Sequence, residues 1–110
     1  MYRRQTHEKL LIAVEQGDLP NVQLAIKQGA DINEIPWGME SVLMRAIRCR
    51  HSPVAEYLIE QGVDLGYHYE KTSSPRGPTR TMQETARDYA EFYNLPDIVQ
   101  LIDRRMGNYR

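Results

Sequence analysis

Shifted by 33 residues, the chain falls into register with itself. Leu10 lands on Leu43, Ala13 on Ala46, Val14 on Ile47, Ile26 on Ile59 and Gln28 on Gln61. Gly29 then meets Gly62, Asp31 meets Asp64 and Ile32 meets Leu65. A fixed period between about 20 and 50 residues marks stacked supersecondary units, none of which buries its apolar face alone. Such a chain is confined to quasi-one-dimensional architectures in which each unit touches only its neighbours. An array of this kind has no evident reaction centre. It presents a surface, and the functional question becomes what that surface binds.

Within the first unit, Leu10, Ala13 and Val14, then Val22, Ala25 and Ile26, recur at the three- and four-residue spacings of a helix. Gly17-Asp18-Leu19-Pro20 breaks the run. Gly17 can end one helix, Asp18 can cap the next, and Pro20 is tolerated in its first turn. Two short antiparallel helices are therefore expected over about residues 7–28, closed by Gly29 in the left-handed position after a helix. The second unit repeats the plan: Ser41 caps a helix running to about Cys49, and Ser52-Pro53 opens another that runs to Gln61 and stops at Gly62. The third unit needs a shift of 44, which sets Ser41 on Thr85, Ala46 on Ala90, Val54 on Ile98, Tyr57 on Leu101 and Leu58 on Ile102. The additional 11 residues lie between Leu65 and Thr85. Gly66 to Arg80 has no apolar periodicity, and Pro75 and Pro78 flank Arg76-Gly77, which predicts a long loop or extended hairpin there.

Composition narrows the class. A chain of 110 residues is sized for one domain. Hydrophobic and charged fractions of 41% and 26% are those of globular chains, not of disordered tails. A net charge of −1 supplies no global field for nucleic acid or an acidic membrane. The single cysteine, Cys49, forms no internal disulfide, which suits a reducing compartment. Leu10 to Val14 is too short an apolar run for a signal-peptide core or a membrane span. A soluble, cytoplasmic protein is expected.

Several strings are similar to those of the ankyrin-repeat family. Gly17-Asp18, Gly29-Ala30-Asp31-Ile32-Asn33 and Gln61-Gly62-Val63-Asp64-Leu65 resemble its turn and end-of-repeat motifs, and Thr85-Ala86-Arg87-Asp88-Tyr89-Ala90 resembles a terminal repeat's first helix. The Thr-Pro-Leu-His tetrapeptide of strong repeats is missing: Ser41-Val42-Leu43-Met44 and Glu8-Lys9-Leu10-Leu11 stand in its place. A tetratricopeptide or other helical-pair array is disfavoured, because Gly-Ala-Asp-Ile-Asn calls for a turn and hairpin between repeats. The resemblance implies an all-α solenoid of three helix-turn-helix repeats with connecting β-hairpin or loops. The repeats fall at about 5–33, 34–66 and 78–110, with the 11-residue insertion between the second and third. Polar outer positions are expected at both ends: His7, Glu8, Lys9, Glu15, Gln23 and Lys27 on repeat one, Glu91, Asp103, Arg104 and Arg105 on repeat three. This pattern reads as a complete, capped chain.

The family's partner surface is usually the concave side, made by hairpin tips and the exposed faces of first helices. Carried onto this sequence, it would comprise Trp37, Met39, Glu40 and Val42, then Arg45, Arg50 and His51, then Tyr67, His68, Tyr69, Arg76 and Arg80. Trp37, on the turn Pro36-Trp37-Gly38, and the tyrosines and arginines belong to the residue types enriched at binding hot spots. The competing role for Trp37 is to fold back over the neighbouring hairpin. Tyr67 and Tyr69 alternate around His68 and so share a face, where they serve either a partner or the packing of the insertion. Arg45, Arg48 and Arg50 form a basic cluster that either meets an acidic partner or is a solvated face beside Glu40 or Glu56. Cys49 and His51 lie two apart, but no second Cys/His pair at ligand spacing completes a metal site. They read as a helix-end cysteine and a capping histidine. No phosphate-binding glycine loop or nucleophile elbow is present. The chain is expected to be no enzyme, to need no cofactor or metal, and to be monomeric when free. It would bind a protein partner, an inhibitor or immunity-type protein being one form of that role. The alternative is a self-assembling scaffold subunit.

Overall fold

The computed structural model describes residues 4–35, 40–72 and 81–107, with backbone alone for 4–6, 70–72 and 81–83. Among the described residues there are six helices and one two-stranded hairpin. Helices α1 (Arg4–Gln16) and α2 (Leu19–Lys27) form the first pair, and α3 (Val42–Arg48) and α4 (Ser52–Glu60) the second. Strands β1 (Tyr69–Thr72) and β2 (Thr81–Glu84) precede the third pair, α5 (Ala86–Phe92) and α6 (Pro96–Met106). First helices stack α1 on α3 on α5, and second helices α2 on α4 on α6. The insertion is thus an extended hairpin in part: β1 runs antiparallel to β2 with Tyr69 opposite Glu84 and Thr72 opposite Thr81.

The apolar periodicity becomes the core. Leu10, Val14, Val22, Leu43, Ile47, Val54, Leu58, Ile98 and Ile102 lie at or within 1% of zero exposure. Burying each such side chain contributes about 1.5–3 kcal/mol against chain entropy. Three helices start where a polar side chain can take an orphan amide. Asp18 accepts from the Asn21 amide, Ser41 from Met44 and Thr85 from Asp88. Ser52 departs from expectation, since the cap position falls one residue earlier, on His51, which makes no side-chain cap bond. Every second helix ends on a glycine at positive φ, namely Gly29, Gly62 and Gly107. The turns inside the repeats use Gly17, Arg50 and Asn94, also at positive φ. Connections between repeats are pinned by side chains: Asn33 Oδ1 accepts the Asp64 amide at 2.7 Å, and Asp64 Oδ1 accepts that of Gly66 at 2.9 Å.

The two ends of the stack differ. In repeat three, Arg87, Glu91 and Asp103 stand 44 residues after Leu43, Ile47 and Ile59, which are buried in the core. They bridge one another instead: Arg87 Nε lies 2.6 Å from Asp103 Oδ1, and its Nη1 lies 2.9 Å from Glu91 Oε2. The guanidinium holds the Asp103 carboxyl below the usual carboxylate range. Repeat one is not polar throughout at its end. His7 is buried, and Ile12 and Leu24 are 53% and 48% exposed among the polar positions.

Candidate functional site

Glu40 precedes the cap of α3, and the cap bond donated by the Met44 amide to Ser41 Oγ (3.1 Å) fixes where the helix begins. Its carboxylate consequently lies over the first helices. It accepts Arg48 Nε at 2.9 Å, Arg48 Nη2 at 2.7 Å and the Tyr89 hydroxyl at 2.9 Å, and Arg45 Nε stands 3.5 Å away. Arg45 reaches back with Nη1 to Glu15 Oε2 at 2.7 Å. A run of polar contacts therefore crosses all three repeats, with hydrogen bonds from Arg45 to Glu15 on α1 and from Tyr89 on α5 to Glu40, joined by the 3.5 Å ion pair of Arg45 with Glu40. The hydrogen bond to Glu40 raises the Arg48 guanidinium above its ordinary value. Burial, and next the bond to Glu40, push the Tyr89 phenol up. Both shifts favour the protonated forms, a charged Arg48 and a neutral Tyr89.

A second set of contacts holds the turns. His51 Nε2 lies 2.9 Å from the Glu15 carbonyl, which can only accept, so the ring carries its proton on Nε2. The ring also fills the space over Gly17, where an added Cβ would stand 2.6 Å from His51 Nδ1. Its neighbour Arg50 donates Nη1 to the Tyr93 carbonyl at the end of α5. Two adjacent residues of repeat two thus cap the first helices of repeats one and three. These bonds engage His51 in the scaffold rather than with Cys49.

The residues expected to form the partner surface divide accordingly. Val42 does not belong to it: its side chain is 1% exposed because the first turn of α3 faces the core. The Glu40 and Arg45 side chains are only 10% and 15% exposed and are engaged within the network. Arg50 and His68 are exposed, and Tyr67 and Tyr69 are half-buried and pack against the core on either side of His68. Trp37, Met39, Arg76 and Arg80 lie outside the described residues.

The most exposed large apolar side chain among the described residues is one that the sequence reading passed over. Phe92, at the end of α5, is 77% exposed. Its ring meets Tyr93 edge-to-face, with centroids 4.9 Å apart and planes at 85°, and Tyr93 tilts against Tyr89 at 6.1 Å. Together with Glu84 of β2 these three rings line a shallow recess at the foot of the hairpin. The signal was present: in the same register repeat two has Arg48 and repeat one Glu15, so Phe92 breaks a charged row. Arg48 borders this patch with its side chain 42% exposed.

The arrangement offers a rigid, charge-neutralised floor, an aromatic anchor and guanidinium groups at its rim. Among the described residues, no cluster of three metal-ligating side chains exists and no helix is long and apolar enough to cross a membrane. The family model described as ankyrin repeats (3 copies) matches residues 10–106. No curated protein matches the chain.

Proposed function

This chain belongs to the ankyrin-repeat family, and on that premise we propose that it binds one protein partner on the face built from hairpin β1–β2 and first helices α3 and α5. Ankyrin repeats generally mediate protein–protein interaction and are typically non-enzymatic. The observation that carries the placement is Phe92, an aromatic ring exposed beside Tyr93 and Arg48 where the other repeats have charges. Aromatic and arginine side chains on a preorganised base are what hot spots are made of, since little conformational freedom is lost when they engage. Trp37 and the insertion residues Arg76 and Arg80 extend the proposed surface. A short array with such a face suits an inhibitor or immunity-type protein, which acts by occluding its target.

The test is affinity capture from the native host with wild-type protein and with Phe92→Asp, whose side chain already stands in solvent. A protein retained by the wild type and lost with Phe92→Asp, at an unchanged melting temperature, supports this face. Equal capture by both refutes it.

A further inference from the structure

The outward side of repeat one is an open groove between α1 and α2, lined by Lys9, Ile12 and Gln16 on one wall and Asn21, Leu24 and Gln28 on the other. Its positions have counterparts further along the stack. Ile12 corresponds to Arg45 and then Tyr89, and Leu24 corresponds to Tyr57 and then Leu101, by the shifts of 33 and 44 residues. The preceding repeat covers those counterparts: the Arg45 side chain is 15% exposed, Tyr89 is 2% exposed, and Tyr57 and Leu101 are half-buried. Ile12 and Leu24 remain 53% and 48% exposed. The groove is therefore the stacking interface of the array, continued to a repeat that has nothing on its outer side among the described residues. Terminal repeats normally carry a polar outer face. Repeat three does, in its bridged Arg87, Glu91 and Asp103.

We propose that a second copy of this chain covers the groove, repeat one against repeat one, in a two-fold dimer. The pattern of side chains is self-complementary. Because α1 and α2 are antiparallel, Lys9 is level with Gln28, Ile12 with Leu24, and Gln16 with Asn21. A two-fold axis along the helices lays α1 on the partner's α2 and sets Ile12 over Leu24 and Lys9 over Gln28. A two-fold axis across the helices sets Ile12 over Ile12, Leu24 over Leu24 and Lys9 over Gln16. In both cases apolar meets apolar, and the one charge of the groove meets an amide instead of its like. Head-to-tail stacking is disfavoured. It would press Ile12 and Leu24 onto the Arg87–Asp103 bridge, and taking that pair from water costs more than the contact returns. An isologous contact also closes on itself and stops at two copies. The partner-binding face at Phe92 lies at the other end of the stack and stays open in both protomers.

Sedimentation velocity from about 1 to 100 µM, on wild type, Leu24→Glu, Ile12→Lys and Phe92→Ala, tests the assignment. The expected result is a dimer for the wild type and for Phe92→Ala. For the two groove variants the mass halves, or the dissociation constant rises at least tenfold, with wild-type melting curves. Each groove variant alters an exposed side chain by an independent route, so misfolding of one leaves the other decisive. A wild type that stays monomeric throughout overturns the proposal. So does a dimer that survives both groove variants, or a mass that keeps growing with concentration.

Discussion

Gly17 and Gly62 both sit at positive φ, but only one of them has a neighbour. Nothing lies within 4 Å of a Cβ built at Gly62, whereas at Gly17 the His51 ring stands 2.6 Å away. Alanine at Gly62 should therefore cost only the left-handed strain, about 1 kcal/mol. At Gly17 it must also displace His51 from the Glu15 carbonyl, which adds roughly 1 kcal/mol for the lost hydrogen bond. Thermal denaturation should show Gly17→Ala melting well below Gly62→Ala, each 1 kcal/mol being worth roughly 4 °C or more in a chain this size. Equal shifts would mean that His51 does not rest on Gly17. Both glycines were legible as turn residues because the left-handed requirement is local. The His51 contact was not, since its partner lies 36 positions away in the chain. Arg50 was illegible for the same reason, since the Tyr93 carbonyl that it holds lies 43 positions away.

Apart from the start of α1, which lies at Arg4 and not near residue 7, helix boundaries were readable to within a residue or two, because caps and periodicity are properties of neighbouring residues. The site was much less so. Glu40, Arg45 and Val42 look alike to a reading that places them near a hairpin, and only packing separates a buried valine and two engaged charges from an exposed ring on α5. The triad on repeat three is a similar case, since Arg87 and Asp103 lie on different helices. Its contribution should depend on pH. The Asp103 carboxyl is held below its unfolded value by Arg87, so folding favours the charged form. The gain is present at neutral pH and disappears as pH falls from the ordinary carboxylate value through the lower folded one. Asp103→Asn should consequently melt below wild type at pH 7 and together with it at about pH 2, well under the ordinary carboxylate value of about 4. A gap that persists in acid would assign the effect to packing. The hairpin makes a contrasting case. Shortening a loop changes folding free energy slowly, by about 0.6 kcal/mol per doubling of length. Replacing 73–80 with a short Gly-Ser turn that leaves β1 and β2 intact should barely move the helical circular-dichroism melt. It should weaken partner binding; an unfolded product would make the insertion a brace.

Across the whole molecule, three repeats are close to the fewest that hold together, and the stability of such an array is a sum of weak units and their interfaces. Binding energy should be concentrated in the same way. Once a partner is in hand, Phe92→Ala should cost at least about 2 kcal/mol, roughly thirtyfold in affinity, while rim changes such as His68→Ala cost little. Titration calorimetry that finds the two variants equal would remove Phe92 from the centre of the interface. Residues 50 and 51 give the array one further property. A linear stack ordinarily frays from either tip without the other tip registering it. Here the last carbonyls of two helices that do not touch each other are held by consecutive residues of one turn, Glu15 by His51 and Tyr93 by Arg50. A constraint placed on one of these carbonyls should therefore reach the other through that turn. A partner seated on Phe92 and Tyr93 should slow hydrogen exchange in the last turn of α1, a helix it never touches.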